Sequence, residues 1–308
     1  MTRRRDEVHG VLSFAVEGMK DEDRVALLQY LDTLVQKNQA IKVDVSLFEK
    51  AVVVSGDDEL QLREASKKIL HEHQVEIGEL KINFRETIRQ SAEAEGKYIR
   101  QTGGSNNYGL VKVRLEPNER GRGFEFIDGI KSGVIPREYI KPTEQGIREA
   151  MMNGVLAGYE MVDFKSTLFD GSYHPIDSNE MAFRIAGSMA FKGAAKKASP
   201  VLLEPVMAVE MTVLEEHTDT LIKDINSRRG RIEKMERVGD SQMITAMVPL
   251  AEVMTFSVHG RPSYAMRFAR YEPTRPSHGP YGDDAGTYAK EQRGPKPGAG
   301  SAAAKLDD

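Results

Sequence analysis

The chain has 308 residues, 40% of them apolar, with a net charge of −4 and no cysteine. At roughly 100 to 150 residues per domain it is long enough for two or three buried cores. The cysteine count excludes disulfides, thiolate metal sites and cysteine nucleophiles, and fits a reducing cytosol. No apolar run reaches the roughly 18 residues of a membrane span, and MTRRRDEVHG lacks the apolar core of a signal peptide, so a soluble, cytoplasmic protein is expected.

Residues 11–83 alternate strand and helix signals: VLSFAVEG, the helical DEDRVALLQYLDTLVQK, AIKVDV, AVVVSG, the helical DDELQLREASKKILHEH, and VEIGELKI. That order is β-α-β-β-α-β, the split ferredoxin-like plan. His71 and His73 close the second helix, two residues apart. That spacing puts them on different faces, whereas helical metal pairs sit three or four apart, so no metal and no other cofactor is expected.

A central stretch opens on a strand near residues 81–87 and passes through a Gly-rich polar loop at 101–107 into the strand YGLVKVRLEP. A strand at 124–127, a helix from Pro142 to about Asn153 closed by Gly154, and a strand at 160–169 follow. The helices should cover one face of a mixed sheet. Next comes FDGSYHPIDSNEMAF, residues 169–183. Asp170-Gly171 is a turn signal in which glycine supplies a positive φ. Asp177 with Glu180 three residues on reads as a capping box, opening a helix whose Met181, Ala182, Ile185, Ala186, Met189, Ala190 and Ala194 share a face. The helix should stop before Pro200.

Residues 204–272 repeat the first plan: PVMAVEMTV, the helical EEHTDTLIKDINSRRG, RIEKMERV, MITAMVPL, a short helical AEVMTFS, and SYAMRFARYE. From Pro273 onward the chain is rich in Pro, Gly, Ala and charge and almost without aliphatic residues, so residues 273–308 are expected to be a disordered tail. The expected modules are 1–83, 84–203 and 204–272. Only the middle one leans positive, with 17 basic against 15 acidic residues. A balance of that size is too weak to argue for RNA binding.

Three runs together carry a resemblance: FDGSYHPIDSNEMAF, GFEFIDGIKSGVIPREYIKPTEQGIREAMMNGVLAGYEMVDF (123–164) and SPVLLEPVMAVEM (199–211). They resemble the C-terminal half of elongation factor G, the translocation GTPase of the ribosome, at its fourth and fifth domains. The resemblance is nearly gapless over about residues 82–250. It implies an α+β fold in which two ferredoxin-like βαββαβ modules flank a ribosomal-protein-S5-domain-2-like α/β module. It also implies a ribosome-associated, monomeric protein whose central module contacts ribosomal RNA, transfer RNA and messenger RNA near the decoding centre. A protein interaction module that complements a separate translational GTPase is the second function it implies. No Gly-rich loop ending in GK[ST] occurs, so this chain is not expected to be an enzyme that hydrolyses GTP.

In that family the histidine of the GSYH loop lies at the tip of domain four, which assigns RNA contact to Ser172, Tyr173 and His174. An imidazole, a phenol ring and exposed amides suit stacking and contacts to 2′-hydroxyls or phosphates. A second tip loop, TGGSNNYG, adds Ser105, Asn106, Asn107 and Tyr108, with Asn106-Asn107 where the family usually has Gly-Gln; its glycines also fit a plain hairpin. In INSRRGRIEKME, Arg228, Arg229 and Arg231 match the family's Arg-Arg-Gly turn. They suit large-subunit RNA phosphates, and equally a helix C-terminus with Gly230 at C′. Pro175 replaces a usual acidic residue. The run from Pro249 to Tyr264 is several residues short, which predicts a second helix of one or two turns in the last module.

Overall fold

The computed structural model describes residues 10–18, 23–45, 52–102, 105–131, 133–253 and 263–274. The first sheet gathers β1 (Leu12–Glu17), β2 (Lys42–Val45), β3 (Val52–Gly56) and β4 (Glu76–Ile77) in the order β2-β3-β1-β4, with β5 (Lys81–Ile82) also paired to β1. Leu12, Phe14 and Val16 alternate into the core, the period-two signature of a half-buried strand. Helices α1 (Arg24–Lys37) and α2 (Glu59–Glu72) pack on that face through Leu27, Leu31, Leu62, Ala65 and Ile69. α2 starts where it does because the Asp58 carboxylate accepts the Gln61 N–H at 3.0 Å. His73, beyond its end, packs edge-on against Tyr30 at 5.2 Å between ring centroids.

The strand expected at 81–87 is divided between two other sheets: β5 pairs with β1, and β6 (Arg85–Ile88) pairs with β11 (Pro200–Leu214). The central sheet instead begins with β7 (Ala92–Thr102), continues through β8 (Ser105–Pro117), β9 (Phe124–Asp128) and β10 (Phe164–Ser172), and has the order β7-β8-β10-β9. β9 and β10 run parallel and the other pairs antiparallel, so the sheet is mixed as expected. α3 (Ile140–Met151) and α4 (Glu180–Lys197) cover one face, around the fully buried rings of Phe164, Phe183 and Phe191. β7 lies so close to α4 that a Cβ at position 96 would run into the Ala186 carbonyl, which requires glycine there.

β11, α5 (Thr218–Ser227), β12 (Arg231–Val238), β13 (Ser241–Pro249), α6 (Leu250–Val253) and β14 (Ser263–Pro273) complete the chain, with strand order β12-β13-β11-β14. Taken in chain order, the first and last sheets share the arrangement 2-3-1-4 with helices between the strands. The architecture is α+β with two ferredoxin-like sheets. α6 is one turn long among the described residues, and the tail from 275 onward lies outside them.

Four local expectations are corrected. α4 is capped by Asn179, whose side chain accepts the Ala182 N–H at 2.9 Å, and not by Asp177. Its buried face is Ala182, Phe183, Ala186, Gly187, Ala190, Phe191, Ala194 and Ala195, while Met181 and Met189 face solvent. Asp170 and Gly171 are strand residues paired with Lys112 and Val111, and Gly171 has no positive φ; a side chain there would strike Ile135. At the end of α5, Arg229 takes the left-handed C′ position at φ 58, and Gly230 is C″. Its N–H reaches the Ile225 carbonyl at 2.9 Å while that of Arg229 reaches Asn226 at 3.3 Å, the double bond of a Schellman motif.

Candidate nucleic-acid interface

One end of the central sheet collects the residues the sequence singles out. β7 and β8 form a hairpin in which Thr102 faces Ser105, the plain-hairpin alternative for this stretch, with residues 103–104 outside the described ones. Its strands carry Tyr108 to the place where β10 ends at Ser172, paired with Leu110. There the two loops are hydrogen-bonded together. The Tyr108 N–H donates to the Asp177 carbonyl at 2.8 Å, the Ser178 hydroxyl donates to the Tyr108 carbonyl at 2.9 Å, and the Asn179 amide donates to Asn107 Oδ1 at 2.5 Å. Ser178 also closes the 172–179 loop on itself, accepting the His174 N–H at 2.9 Å and donating its own N–H to the His174 carbonyl at 3.0 Å.

The loop is therefore tied down at residues 174 and 177–179. Tyr173 and His174 are exposed, and Ile176, which sequence reasoning did not single out, is 86% exposed. His174 Nδ1 lies 3.1 Å from the Asp177 carboxylate and 3.3 Å from the Asp177 N–H. Both contacts use Nδ1, so among the described residues Nε2 has no hydrogen-bond partner. An imidazole fixed through one nitrogen presents the other in a set direction.

A third segment, part of the 123–164 run that carries the resemblance but not singled out there as a contact, belongs to the same end. The Gly129 N–H bonds the Leu168 carbonyl at 2.9 Å, Ile135 packs under Gly171, and the Tyr139 hydroxyl donates to the Ser178 carbonyl at 3.1 Å. Tyr139 also stacks on Phe183 at 4.4 Å between centroids. Its burial pushes the phenol pKa up, with Glu138 adding to the effect. Lys131 and Arg137 on this segment, and Lys97 and Arg100 on β7, are exposed and have no ion pair among the described residues.

The open face of the sheet is different. Arg114 pairs with Glu93 at 2.7 Å, Lys112 with Asp170 at 2.9 Å and Lys165 with Glu125 at 3.5 Å. The hydrogen bond from Lys112 lowers the Asp170 pKa, and that bond raises the Lys112 pKa in return. Charges neutralised in this way offer little to phosphate, so the candidate interface is the end of the sheet and not its face.

The arginines of the last module divide. Arg228, 16% exposed, bonds Asp224 at 2.9 Å and the Glu252 carbonyl at 3.0 Å. Arg229, 18% exposed, makes a fork to Glu204 at 2.7 and 2.9 Å and reaches Glu252 at 3.0 Å. Burial works against its charge, but Glu204 and then Glu252 outweigh that, and its pKa is raised. Neither guanidinium is presented as a phosphate fork, because each is committed to a carboxylate of its own module. Arg231 is 63% exposed, paired with Glu233 at 2.9 Å. Among the described residues no group of histidines and acids is placed to hold a metal, and no helix is long and apolar enough to cross a membrane.

A profile described as "Elongation factor G, domain IV" matches residues 80–199, and one described as "Elongation factor G C-terminus" matches residues 201–279. A crystal structure of a protein from Thermus thermophilus is similar at 35% identity and a TM-score of 0.65 over 89% of this chain. The match spans 42% of that protein. The GSYH end of the central sheet falls within the domain IV match, and the Arg228–Arg231 turn within the C-terminal one. The chain thus belongs to the elongation factor G family and is built like the C-terminal half of that factor.

Proposed function

We propose that this chain is a ribosome-associated arm that contacts RNA with the end of its central sheet and hydrolyses no GTP. The observation that supports it most is the pairing of a locked backbone with unsatisfied rings: residues 107–108 and 177–179 hold each other while Tyr173 and His174 stay exposed. Such a site loses its conformational entropy on folding, so little more is lost when a base stacks on Tyr173 or a 2′-hydroxyl meets His174 Nε2. Ser172, Ser105, Asn106, Asn107 and Tyr108 complete the proposed contact. Of the three arginines, the proposal keeps only Arg231 as a peripheral phosphate contact. GTP turnover is assigned outside this chain, which has no GK[ST] phosphate loop.

Co-sedimentation with 70S ribosomes at near-physiological salt tests the proposal. Stacking of one base on an aromatic ring is worth about 1–3 kcal/mol, so Tyr173→Ala should weaken binding by about 5- to 100-fold with the melting temperature unchanged. A chain that stays in the supernatant, or a Tyr173→Ala/His174→Ala variant that binds like the parent, contradicts it.

A further inference from the structure

A sheet edge is a row of unpaired N–H and C=O groups, and folded proteins blunt it by shortness, bulges, proline or charge. Four described edges of this chain are short or bulged. β2 has four residues and β9 five, β12 is bulged at Glu233 and β14 at Ala269. β7 differs: it has 11 residues, contains no proline, and pairs with β8 on its inner side without a register shift. No described strand pairs with its outer side. One side chain reaches its backbone, at the start of the strand, where Lys197 Nζ lies 3.5 Å from the Glu93 carbonyl.

What guards β7 is charge, and the charge is of both signs. Glu95 and Lys97 stand on the open face of the sheet, exposed and without an ion pair among the described residues, while Gly96 between them turns toward α4. When two identical strands pair antiparallel about a two-fold axis, the axis passes through a residue. An axis between two residues would set the outward groups of one strand against the inward groups of the other. Centred on Ala94, Glu95 or Lys97, the pairing puts like charges opposite each other, and centred on Tyr98 it sets Lys97 against Ile99. Centred on Gly96, it sets Glu95 against Lys97 of the second copy, and does so twice.

The same axis suits the other face of the sheet. α4 rests on β7 with Ala186 and Ala190 over Gly96 and Gly193 over Ala94, and it meets α3 at Arg184 and Gly187. At about 100° per residue, Ile185 and Met189 lie on the flank away from α3, beyond the β7 edge. Met189 is 45% exposed there and Ile185 is half-buried. Two such flanks, brought side by side by the joined strands, cover each other's apolar surface.

We propose that β7 is a self-pairing edge: two copies of this chain join antiparallel about Gly96, with Glu95 of each against Lys97 of the other and Ile185 and Met189 closing the seam above. The inference does not depend on whether the Tyr173–His174 end meets RNA, and its test contains no ribosome.

Sedimentation velocity at rising protein concentration should show a reversible monomer–dimer equilibrium. Lys97→Glu gathers four carboxylates around the axis and should weaken dimerisation about tenfold or more, while Lys97→Arg keeps the sign and should stay within about threefold of the parent. Position 97 is exposed, so circular dichroism should show both variants folded. Without native cysteine, disulfide trapping gives a second measurement. A Glu95→Cys chain mixed with a Lys97→Cys chain should cross-link on oxidation in larger yield than either alone, because residues 95 and 97 face each other across the axis whereas equal positions sit a diagonal apart. A chain that stays monomeric at every concentration overturns the proposal. So does a dimer indifferent to Lys97→Glu, or cross-linking of either variant alone that equals that of the mixture.

Discussion

Tyr271 and His174 bound the range of environments that a polar ring meets in this chain. The Tyr271 side chain is partly buried, and desolvation pushes its pKa up to about 12 from the ordinary 10, with the nearby Arg85 opposing the shift. A raised pKa means that the protonated phenol is the form the fold prefers. The stability it contributes is complete below about pH 10 and is lost as pH rises through about 12. Absorbance titration of tyrosinate should therefore show a late step near 12 that disappears in Tyr271→Phe, and a titration complete by about pH 11 would refute the burial argument. His174 is the opposite case, tethered through Nδ1 to Asp177 and otherwise open. Arg229 lies between them: its residue type and position fit a phosphate ligand, but a left-handed backbone aims it inward at Glu204. Residue type alone did not carry that information, because the fork that suits phosphate suits a carboxylate equally well.

At the scale of elements, local signals were legible where one residue sets a boundary and illegible where packing sets it. The stop of α4 ahead of Pro200 and both β-α-β-β-α-β runs follow from breakers and periodicity, whereas the Asp58 cap of α2 was not singled out in the sequence. β7 was missed because AEAEGKYIRQT alternates alanine and glycine with charge, and its small residues face α4 where nothing larger fits. The reading of α4 placed its alanines on the buried face but turned that face toward Met181 and Met189, which point to solvent, instead of toward Phe183 and Phe191, which are fully buried. Two asparagine-sized choices decide how the tip joins this helix. Asn179 caps α4 and also bonds Asn107 across the two loops. Asn179→Ala should cost about 1–2 kcal/mol, the usual range for a lost cap, measured as a lower melting temperature. Asn179→Asp, which caps equally well, should recover most of it. Equal losses in both variants would show that the cap is not what stabilises this end.

Over the whole molecule, several of the best-placed cations are neutralised internally. Lys112, Arg114 and Lys165 on the open face of the central sheet are paired, as are Arg228 and Arg229, while four exposed cations of the central module have no ion pair among the described residues. They are Lys97, Arg100, Lys131 and Arg137. If these four neutralise four phosphates, log K for ribosome binding should fall with log salt at a slope of about −3, whereas a polycationic RNA binder with many contacts falls far more steeply. A slope near zero would remove phosphate contact by these cations. The most direct measurement uses position 176, the most exposed apolar side chain of the tip loop, in a chain without competing thiols. Ile176→Cys carrying a tethered iron chelate should direct hydroxyl-radical cleavage of bound ribosomes to small-subunit RNA around the decoding centre, while the same probe at Val25→Cys should cleave elsewhere. Cleavage from position 176 that is absent, or that matches the pattern from position 25, would contradict the account.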